Sequence, residues 1–513
     1  MREESASFPL FKRIAYRRKH HPQNKVTVIV REGETYSTKQ LNDISISQAN
    51  SIILLTKEYQ NEICQFGSHE RREVLEKGNA NTLKTLVQVA QMTSDEASAD
   101  HQTIIVEIED DWTAKLVDRI IAHKEKLAKC RIIPIYVNRV LGQILSQFSI
   151  MPELNTVYSE LFSNRGAEFF AKPQEGKDDV AQATRQYMLT HHCAIPLTVM
   201  QTSIGKYAFS VANSNEDCER SAEEEQPALS VKLNMSYQML PKNIVIVGHN
   251  SKCQDIMNGF SSFRGEHNLS EGEILNITVI DDEKSLEHFD YYREYPYVSK
   301  TVVADIYDAE LIKSTIEEAV DSHEGDTSLL ILSDDKAVTE DIDSAALTYL
   351  IYVQDIILDR KKKDPDFDRN SIDVVVEILN PKNFDVVHNY SADNVVISNR
   401  YISKMVTQIG RKQALFEFYS DILTYDEEGA TSYDSKELYI KEVDRFFDKN
   451  EIPAKCSARD LIWSVFEASP QNNKEIILGY TSSNGKMTIF SGNQDDIQVE
   501  LRPKDKLIIF SSH

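Results

Sequence analysis

Several aspartates follow apolar runs in the second half of the chain, at points where β-strands are predicted to end. They are Asp281, Asp305, Asp308, Asp334 and Asp335. In an open parallel sheet, the carboxyl ends of the strands converge on one crevice. Carboxylates that face one gap suit a hard cation such as calcium, and the candidate metal ligands are Asp308, Asp334 and Asp335. The sequence equally allows these acids to be solvated loop residues or helix caps.

Gly248 ends a β-branched run and precedes a helical pattern, but a phosphate-binding fingerprint needs two further glycines that this loop lacks. The side chains of Asn250 and Cys253 would crowd a pyrophosphate, although the N-terminus of the next helix favours an anion. Asp281 stands where dinucleotide-binding domains place the carboxylate that binds the ribose. Two interpretations stay open, a nucleotide site or a tight strand-to-helix turn. The candidate cofactor contacts are Gly248, Asn250, Asp281 and Asp305.

Strands and helices alternate from residue 242 onward. Near-continuous apolar runs predict buried strands, and the segments between them carry the period of amphipathic helices. This alternation predicts a doubly wound α/β domain, with a parallel sheet covered on both faces. The predicted strands are 243–248, 274–282, 300–308, 328–335, 371–381 and 393–399.

The first half of the chain repeats the second. Its apolar runs match the second, fourth, fifth and sixth strands of the later domain. An Asn-Arg pair at 138–139 begins twenty residues before Tyr158. A second such pair at 399–400 begins twenty residues before Tyr419. Several matches in one order indicate a duplication, and the matching runs are 25–32, 51–56, 102–110 and 130–138.

Each repeat is followed by a smaller module, for which the sequence predicts an α+β subdomain. Strands are predicted at 196–203, 206–212 and 228–235 in the first module, and a hairpin at the Asn-Gly pair 484–485 in the second. The counterpart of the first strand would fall before residue 1, so we expect the first domain to lack its N-terminal strand. The predicted units are Rossmann-like subdomains at 1–163 and 241–427, and C-terminal subdomains at 164–240 and 428–513.

Composition limits the classes of partner. The chain has 513 residues and a formal net charge of −24, which disfavours nucleic acid. The six cysteines lack the close spacing of a disulfide framework or zinc cluster, which indicates a reducing cytosol. No apolar run approaches the ~18 residues that a membrane span needs. The sequence shows no motif of a catalytic nucleophile or metalloenzyme, and we predict a protein that is not an enzyme.

An ordered series of segments covers the second half of the chain. It comprises IVIVGHN at 244–250, YPYVSKTVVADIYD at 295–308, LLILSDD at 329–335, VVVEILNP at 374–381, NVVISNRYISKMV at 394–406 and RPKDKLIIF at 502–510. Together with the duplication, this series resembles the tandem RCK (regulator of potassium conductance) domains. More narrowly, it resembles the cytosolic region of the Castor/Pollux ion-channel family.

The resemblance implies a ligand-sensing gating region of a cation channel that conducts potassium or calcium. The pore segment of the channel would precede residue 1 and would supply the only membrane contact. Four subunits would form a cytosolic ring at the membrane face, and the helices at 140–148 and 401–409 would lie in an assembly interface. The alternatives are a soluble peripheral subunit of a potassium uptake system and an NAD-dependent oxidoreductase. The regulatory ligand is unknown, with calcium and a nucleotide as candidates.

Overall fold

The structure is a computed structural model, and the strand predicted at 25–32 lies almost wholly outside the residues that it describes. Residues 336–341 of the acidic loop after the fourth predicted strand also lie outside them. The described residues are 29, 31, 33–56, 68–94, 102–122, 130–163, 166–175, 180–237, 239, 241–266, 275–282, 286–323, 325–335, 342–365, 367–368, 371–389, 394–425, 436–448, 451–453 and 455–512.

The first Rossmann-like unit contains a parallel sheet whose three described strands pair in chain order. These strands are β1 (Ser51–Leu54), β2 (Thr103–Ile108) and β3 (Arg131–Tyr136). Every residue of β2 is buried, which explains its continuous apolar run. The helices are α1 (Thr38–Asp43), α2 (Ser68–Ser94), α3 (Asp111–Ala122), α4 (Val137–Ile150) and α5 (Leu154–Leu161).

The first module is an antiparallel sheet with a single helix. It comprises β4 (Glu168–Pro173), α6 (Val180–Thr190), β5 (Ile195–Thr202) and β6 (Gly205–Ala212). The predicted strand at 228–235 is wrong, because this segment makes only an isolated bridge between Leu233 and Phe447. The alternation of apolar and polar residues in this segment does not reflect pairing in a β-sheet. Val231 and Leu233 are buried because the extended segment lies against the second module. Strand β4 was not predicted.

The second Rossmann-like unit contains a six-stranded parallel sheet. Its strands are β7 (Lys242–Val247), β8 (Leu275–Asp281), β9 (Val298–Val303), β10 (Thr327–Ile331), β11 (Ile372–Ile378) and β12 (Asn394–Ile397). Its helices are α7 (Cys253–Glu266), α8 (Leu286–Arg293), α9 (Ala309–Asp321), α10 (Ser344–Lys363), α11 (Phe384–Asn389), α12 (Ser398–Arg411) and α13 (Leu415–Leu423). The strand order β12-β11-β10-β7-β8-β9 is doubly wound, with the topological switch between β7 and β10. The predicted fold class is confirmed.

The second module is built around a four-stranded antiparallel sheet of order β13-β18-β15-β16. Its elements are β13 (Glu437–Glu442), α14 (Val443–Phe446), β14 (Cys456–Ser457), α15 (Ala458–Ala468), β15 (Ile476–Thr481), β16 (Met487–Ile489), β17 (Gln498–Val499) and β18 (Lys506–Ser511). The predicted hairpin joins β15 to β16, and Gly485 adopts the positive φ of 81° that such turns need.

The two Rossmann-like units exchange helices. Helix α4 of the first unit packs on β7, β10 and α7 of the second, while α12 of the second unit packs on β1 and β2 of the first. Helices α4 and α12 each have 14 residues and follow the last strand of their own sheets. The largest buried apolar cluster therefore runs through both halves of the chain. The two repeats therefore share one hydrophobic core, and this shared core holds the two sheets and the loops at their strand ends in a defined relative position.

Candidate functional site

Gly248 lies at the topological switch, where β7 ends beside β10. Its φ is +91°, and a Cβ at this position would stand 3.0 Å from the carbonyl oxygen of Leu332. Its amide donates to the carbonyl of Ile280 at 2.9 Å, which ties the turn to β8. Both the left-handed backbone and the close approach require glycine. These observations favour the tight-turn interpretation of this loop.

Asn250 fills the crevice that opens beyond Gly248. Its side chain is buried, and Nδ2 donates to the carbonyl of Ser333 at 3.0 Å and to Oε2 of Glu377 at 2.7 Å. Its Oδ1 accepts from the amide of Lys252 at 3.0 Å. One amide group thus joins the ends of three neighbouring strands, β7, β10 and β11. The predicted cofactor contact lies in the expected crevice, but its hydrogen bonds are made within the protein.

Lys252 brings a buried positive charge into the same crevice. Its Nζ lies 3.2 Å from Oε1 of Glu377 and 3.8 Å from Oδ2 of Asp335. Burial works against the charged form of Lys252, but the carboxylates of Glu377 and Asp335 outweigh it and raise its pKa. Glu377 also accepts from the hydroxyl of Ser398 at 2.5 Å. The buried charges are therefore paired and hydrogen-bonded, as burial requires.

The carboxylate of Asp335 lies at the N-terminal end of α7. Its Oδ2 accepts from the amide of Ser251 at 3.0 Å and also from the Ser251 hydroxyl. Dinucleotide-binding domains hold a phosphate at the corresponding helix N-terminus, where backbone N–H groups and the helix dipole favour negative charge. In this chain a carboxylate, balanced by Lys252, takes that position.

The three candidate metal ligands lie in two different loops. Asp308 is exposed and caps α9, since its Oδ1 accepts from the amide of Leu311 at 3.2 Å. Asp334 lies beside Asp335 in the loop after β10. Within the described ranges, no group of three or more His, Cys, Asp or Glu side chains has the arrangement of a metal site.

The two remaining candidates, Asp281 and Asp305, lie at the ends of the neighbouring strands β8 and β9. Asp281 is buried, and its Oδ1 accepts from the amide of Asp282 at 2.9 Å. Asp305 is exposed and accepts from the amide of Tyr307 at 2.9 Å. Burial, and then the charges of Asp281, Asp282 and Asp305, raise the pKa of Tyr349. These acids therefore face one common region near α10.

Lys252 and Glu377 are the residues of this crevice that the sequence analysis did not select as candidates. Glu377 is a charged residue inside the apolar run VVVEIL, where a buried carboxylate needs a partner. The same VEI triplet places Glu107 in β2 of the first repeat, where that side chain is also buried. The interrupted run was a signal that could have predicted a buried cation nearby.

The contact between the two repeats is reciprocal. Gln147 on α4 donates from Nε2 to the carbonyl of Ile422 at 3.0 Å, and its Oε1 accepts from the Tyr158 hydroxyl at 3.0 Å. Gln408 on α12 donates from Nε2 to the carbonyl of Leu161 at 3.3 Å, and its Oε1 accepts from the Tyr419 hydroxyl. The helices predicted to lie in an assembly interface thus join the two halves of one chain.

Comparison with solved structures identifies a protein of the same architecture. The human SLO3 gating ring matches with a TM-score of 0.60 at 12% identity, covering 94% of this chain and 90% of that chain. The GsuK channel and the GsuK channel bound to NAD also match at 12% identity, each covering 96% of this chain and 70% of that chain. Their TM-scores of 0.35 and 0.33 carry no argument. No protein-family model and no curated protein matches the chain.

The fold is that of a channel gating ring. It consists of two Rossmann-like units in tandem, each followed by a small module, and the likeness extends over nearly the whole chain. At 12% identity the comparison establishes the fold alone. None of the helices in the described part of the chain has the length and apolarity of a membrane span.

Proposed function

We propose that the chain is the ligand-sensing gating region of a Castor/Pollux-like cation channel and works in a homotetrameric ring at the cytosolic face of a membrane. The observation that carries this proposal is the likeness to a gating ring over 94% of the chain, which includes both repeats. The sequence resemblance to the Castor/Pollux family supports the narrower assignment. The pore would belong to the same channel, on a segment outside this chain.

The exchanged helices supply a physical route from ligand to pore. Helices α4 and α12 each pack on the sheet of the other repeat. Because of these contacts, a displacement of one repeat is transmitted to the other. A ligand that binds one relative orientation of the repeats more tightly than another increases the population of that orientation. A ligand with equal affinity for both orientations leaves their populations unchanged. The gating region would then couple ligand binding to the opening of the pore through the orientation of its repeats.

We propose calcium as the regulatory ligand of the acidic strand-end loops. Because the described residues hold no ready-made metal site, these loops would have to rearrange to bring Asp308 to Asp334 and Asp335. The crevice at Gly248 is filled by Asn250, and Asp335 occupies the position of a phosphate, which argues against a nucleotide there. The same contacts argue against an NAD-dependent oxidoreductase. Asp308, Asp334 and Asp335 remain the predicted calcium ligands. A cation at Asp335 would compete with Lys252 and Ser251, so binding would loosen the contact between β10 and α7.

Solution mass and ligand titration test this proposal. The purified 58.6 kDa chain is expected to form a tetramer in light scattering and native mass spectrometry. Calcium should raise its melting temperature, because a ligand that binds only the folded state stabilises it. The double variant Asp334→Asn/Asp335→Asn should lose this effect, while Asp359→Asn, an exposed helix position, should keep it. A monomer that responds to neither calcium nor NAD would contradict the proposal.

A further inference from the structure

The two repeats differ at one pair of equivalent positions in the interface between them. Val140 on α4 and Tyr401 on α12 are separated by the same number of residues as Gln147 and Gln408. Both follow the Asn-Arg pair in the first turn of each helix. A small aliphatic side chain in one repeat therefore corresponds to a large aromatic one in the other.

Tyr401 fills the space on its side of the interface. Its ring packs edge-on against Phe148 and Phe162, with ring centroids 5.8 and 6.4 Å apart. Its hydroxyl donates to the carbonyl of Asn155 at 3.0 Å and lies 2.9 Å from Oγ of Ser159. The side chain is buried, and both its apolar and its polar parts are satisfied.

The equivalent space on the Val140 side is a cavity of about 200 Å³. One wall comes from β3 and α4 of the first repeat, and the other comes from α12 and α13 of the second. Its lining is mainly apolar, and the apolar side chains are Pro134, Ile135, Val140, Met405, Phe416 and Leu423. The volume is smaller than the 300–1,000 Å³ of drug-sized pockets, so the cavity suits a small ligand.

A positive charge stands at the mouth of this cavity. Arg139 lines it and is exposed, and it makes no ion pair with any residue in the described part of the chain. The equivalent Arg400 instead lies over the ring of Phe384, with its guanidinium 6.0 Å from the centroid. Asp118 on α3 accepts a hydrogen bond from the hydroxyl of Tyr136, which also lines the cavity. The guanidinium of Arg139 is therefore available to an external anion.

We propose that this cavity is a binding site for a small amphipathic carboxylic acid. The hydrocarbon body would fill the space that Tyr401 fills in the other repeat, and the carboxylate would meet the guanidinium of Arg139. Arginine pairs with carboxylates through two parallel charge-assisted hydrogen bonds, which gives the head group a defined orientation. Because the walls belong to different repeats, the bound acid bridges them and stabilises one relative position.

Calorimetric titration of the full chain with hexanoate, octanoate and decanoate tests the site. At least one of these acids should bind, and octanol should bind more weakly than octanoate because it lacks the charge. Val140→Tyr, which introduces the residue of the other repeat, should abolish binding. Arg139→Gln should weaken it about tenfold, as expected for the loss of a charge-assisted contact. The matched control is Arg400→Gln, which removes the equivalent arginine outside the cavity and should bind as the unaltered chain does.

Three results would overturn the proposal. They are no binding of any of the three acids, unchanged octanoate affinity in Arg139→Gln, and equal affinity for octanoate and octanol. Val140→Tyr counts only if its melting temperature stays near that of the unaltered chain, and Arg139→Gln, at an exposed position, provides the independent result. The cavity lies within one chain, so this outcome does not depend on tetramer formation or on calcium.

Discussion

Gly142 and Asp255 lie so close across the contact between α4 and α7 that a Cβ on Gly142 would stand 2.4 Å from the Cβ of Asp255. The backbone carbonyl carbon of Asp255 would be only 3.1 Å away. Gly259 on α7 makes the converse approach to α4, where its Cβ would lie 2.2 Å from Oγ of Ser146. Two glycines, one from each repeat, therefore set the distance at which α4 docks on the second unit.

Gly142→Ala should destabilise the chain, although alanine is the better helix former by about 1 kcal/mol. The added methyl group meets the backbone of α7, and overpacking of this kind costs about 1–3 kcal/mol. Chemical denaturation measures the change. Gly410→Ala on α12 is the control, because its Cβ would meet Cδ1 of Ile53 at an ordinary 3.6 Å. Equal midpoints for the two variants would show that this helix contact tolerates more space than the geometry indicates.

The reciprocal glutamines give a second prediction. Gln147→Leu and Gln408→Leu should each lower the free energy of unfolding by about 1–3 kcal/mol, because each removes the buried hydrogen bonds of the glutamine amide group. Gln147→Leu should have the smaller effect, since the Tyr158 hydroxyl still donates to the carbonyl of Ile422 at 3.1 Å. The effects in the double variant should not add, since both glutamines hold one interface. Gln182→Leu on the exposed face of α6 should be close to neutral. Fully additive losses would mean that the two contacts are independent.

Much of the fold could be predicted from the sequence, because strands buried on both faces read as continuous apolar runs. That rule located β10, β11 and β12 and their first-repeat counterparts. It failed in the first module, where the alternating segment 228–235 lies extended without a neighbouring strand. The sequence shows which faces of a segment are apolar, but it does not show whether a sheet or another module covers them.

The candidate site was harder to predict from the sequence than the fold. The glycine count correctly signalled that the loop at Gly248 departs from a phosphate-binding turn. The contacts of Asn250 with Ser333 and Glu377 join residues far apart in the chain, so no spacing reveals them. The carboxylate that stands at the start of α7, Asp335, became recognisable only once β7 and β10 were neighbours.

The buried pair of Lys252 and Glu377 gives a third prediction. Lys252→Met should destabilise the chain by about 3–5 kcal/mol, because it leaves the carboxylate of Glu377 buried without its cation. The double variant Lys252→Met/Glu377→Gln should recover a large part of this loss, since the fully buried carboxylate is then removed together with its cation. Asp335 stays ionised, but its side chain is partly exposed and keeps its hydrogen bond from the amide of Ser251. A double-mutant cycle in urea measures the coupling. Lys300→Met, which removes an exposed ion pair with Glu318, is the control. A coupling energy near zero would contradict the paired arrangement.

Asp373 lies where the first repeat, the second repeat and the second module meet. Glu153, next to α5, forms an ion pair with Lys506 of β18 at 2.5 Å. Desolvation, and then the charge of Glu153, raise the pKa of Asp373 from its ordinary 3.8 to about 7. The positive charges of Lys506 and Lys242 oppose this rise, and the negative charge of Asp326 adds to it. Protonation at this junction therefore falls within the physiological pH range.

The sign of the resulting pH dependence follows from the raised pKa. The folded chain holds the proton on Asp373 more tightly than the unfolded chain, so this contribution to stability is complete below about pH 4 and is lost as the pH rises through about 7. Asp373→Asn mimics the protonated form and should gain about 1–3 kcal/mol over the unaltered chain at pH 8, and roughly a third of that gain at pH 5. Urea denaturation at the two pH values measures this, with the exposed Asp359→Asn as the control. A gain of the same size at both pH values would show that Asp373 is already ionised at pH 5.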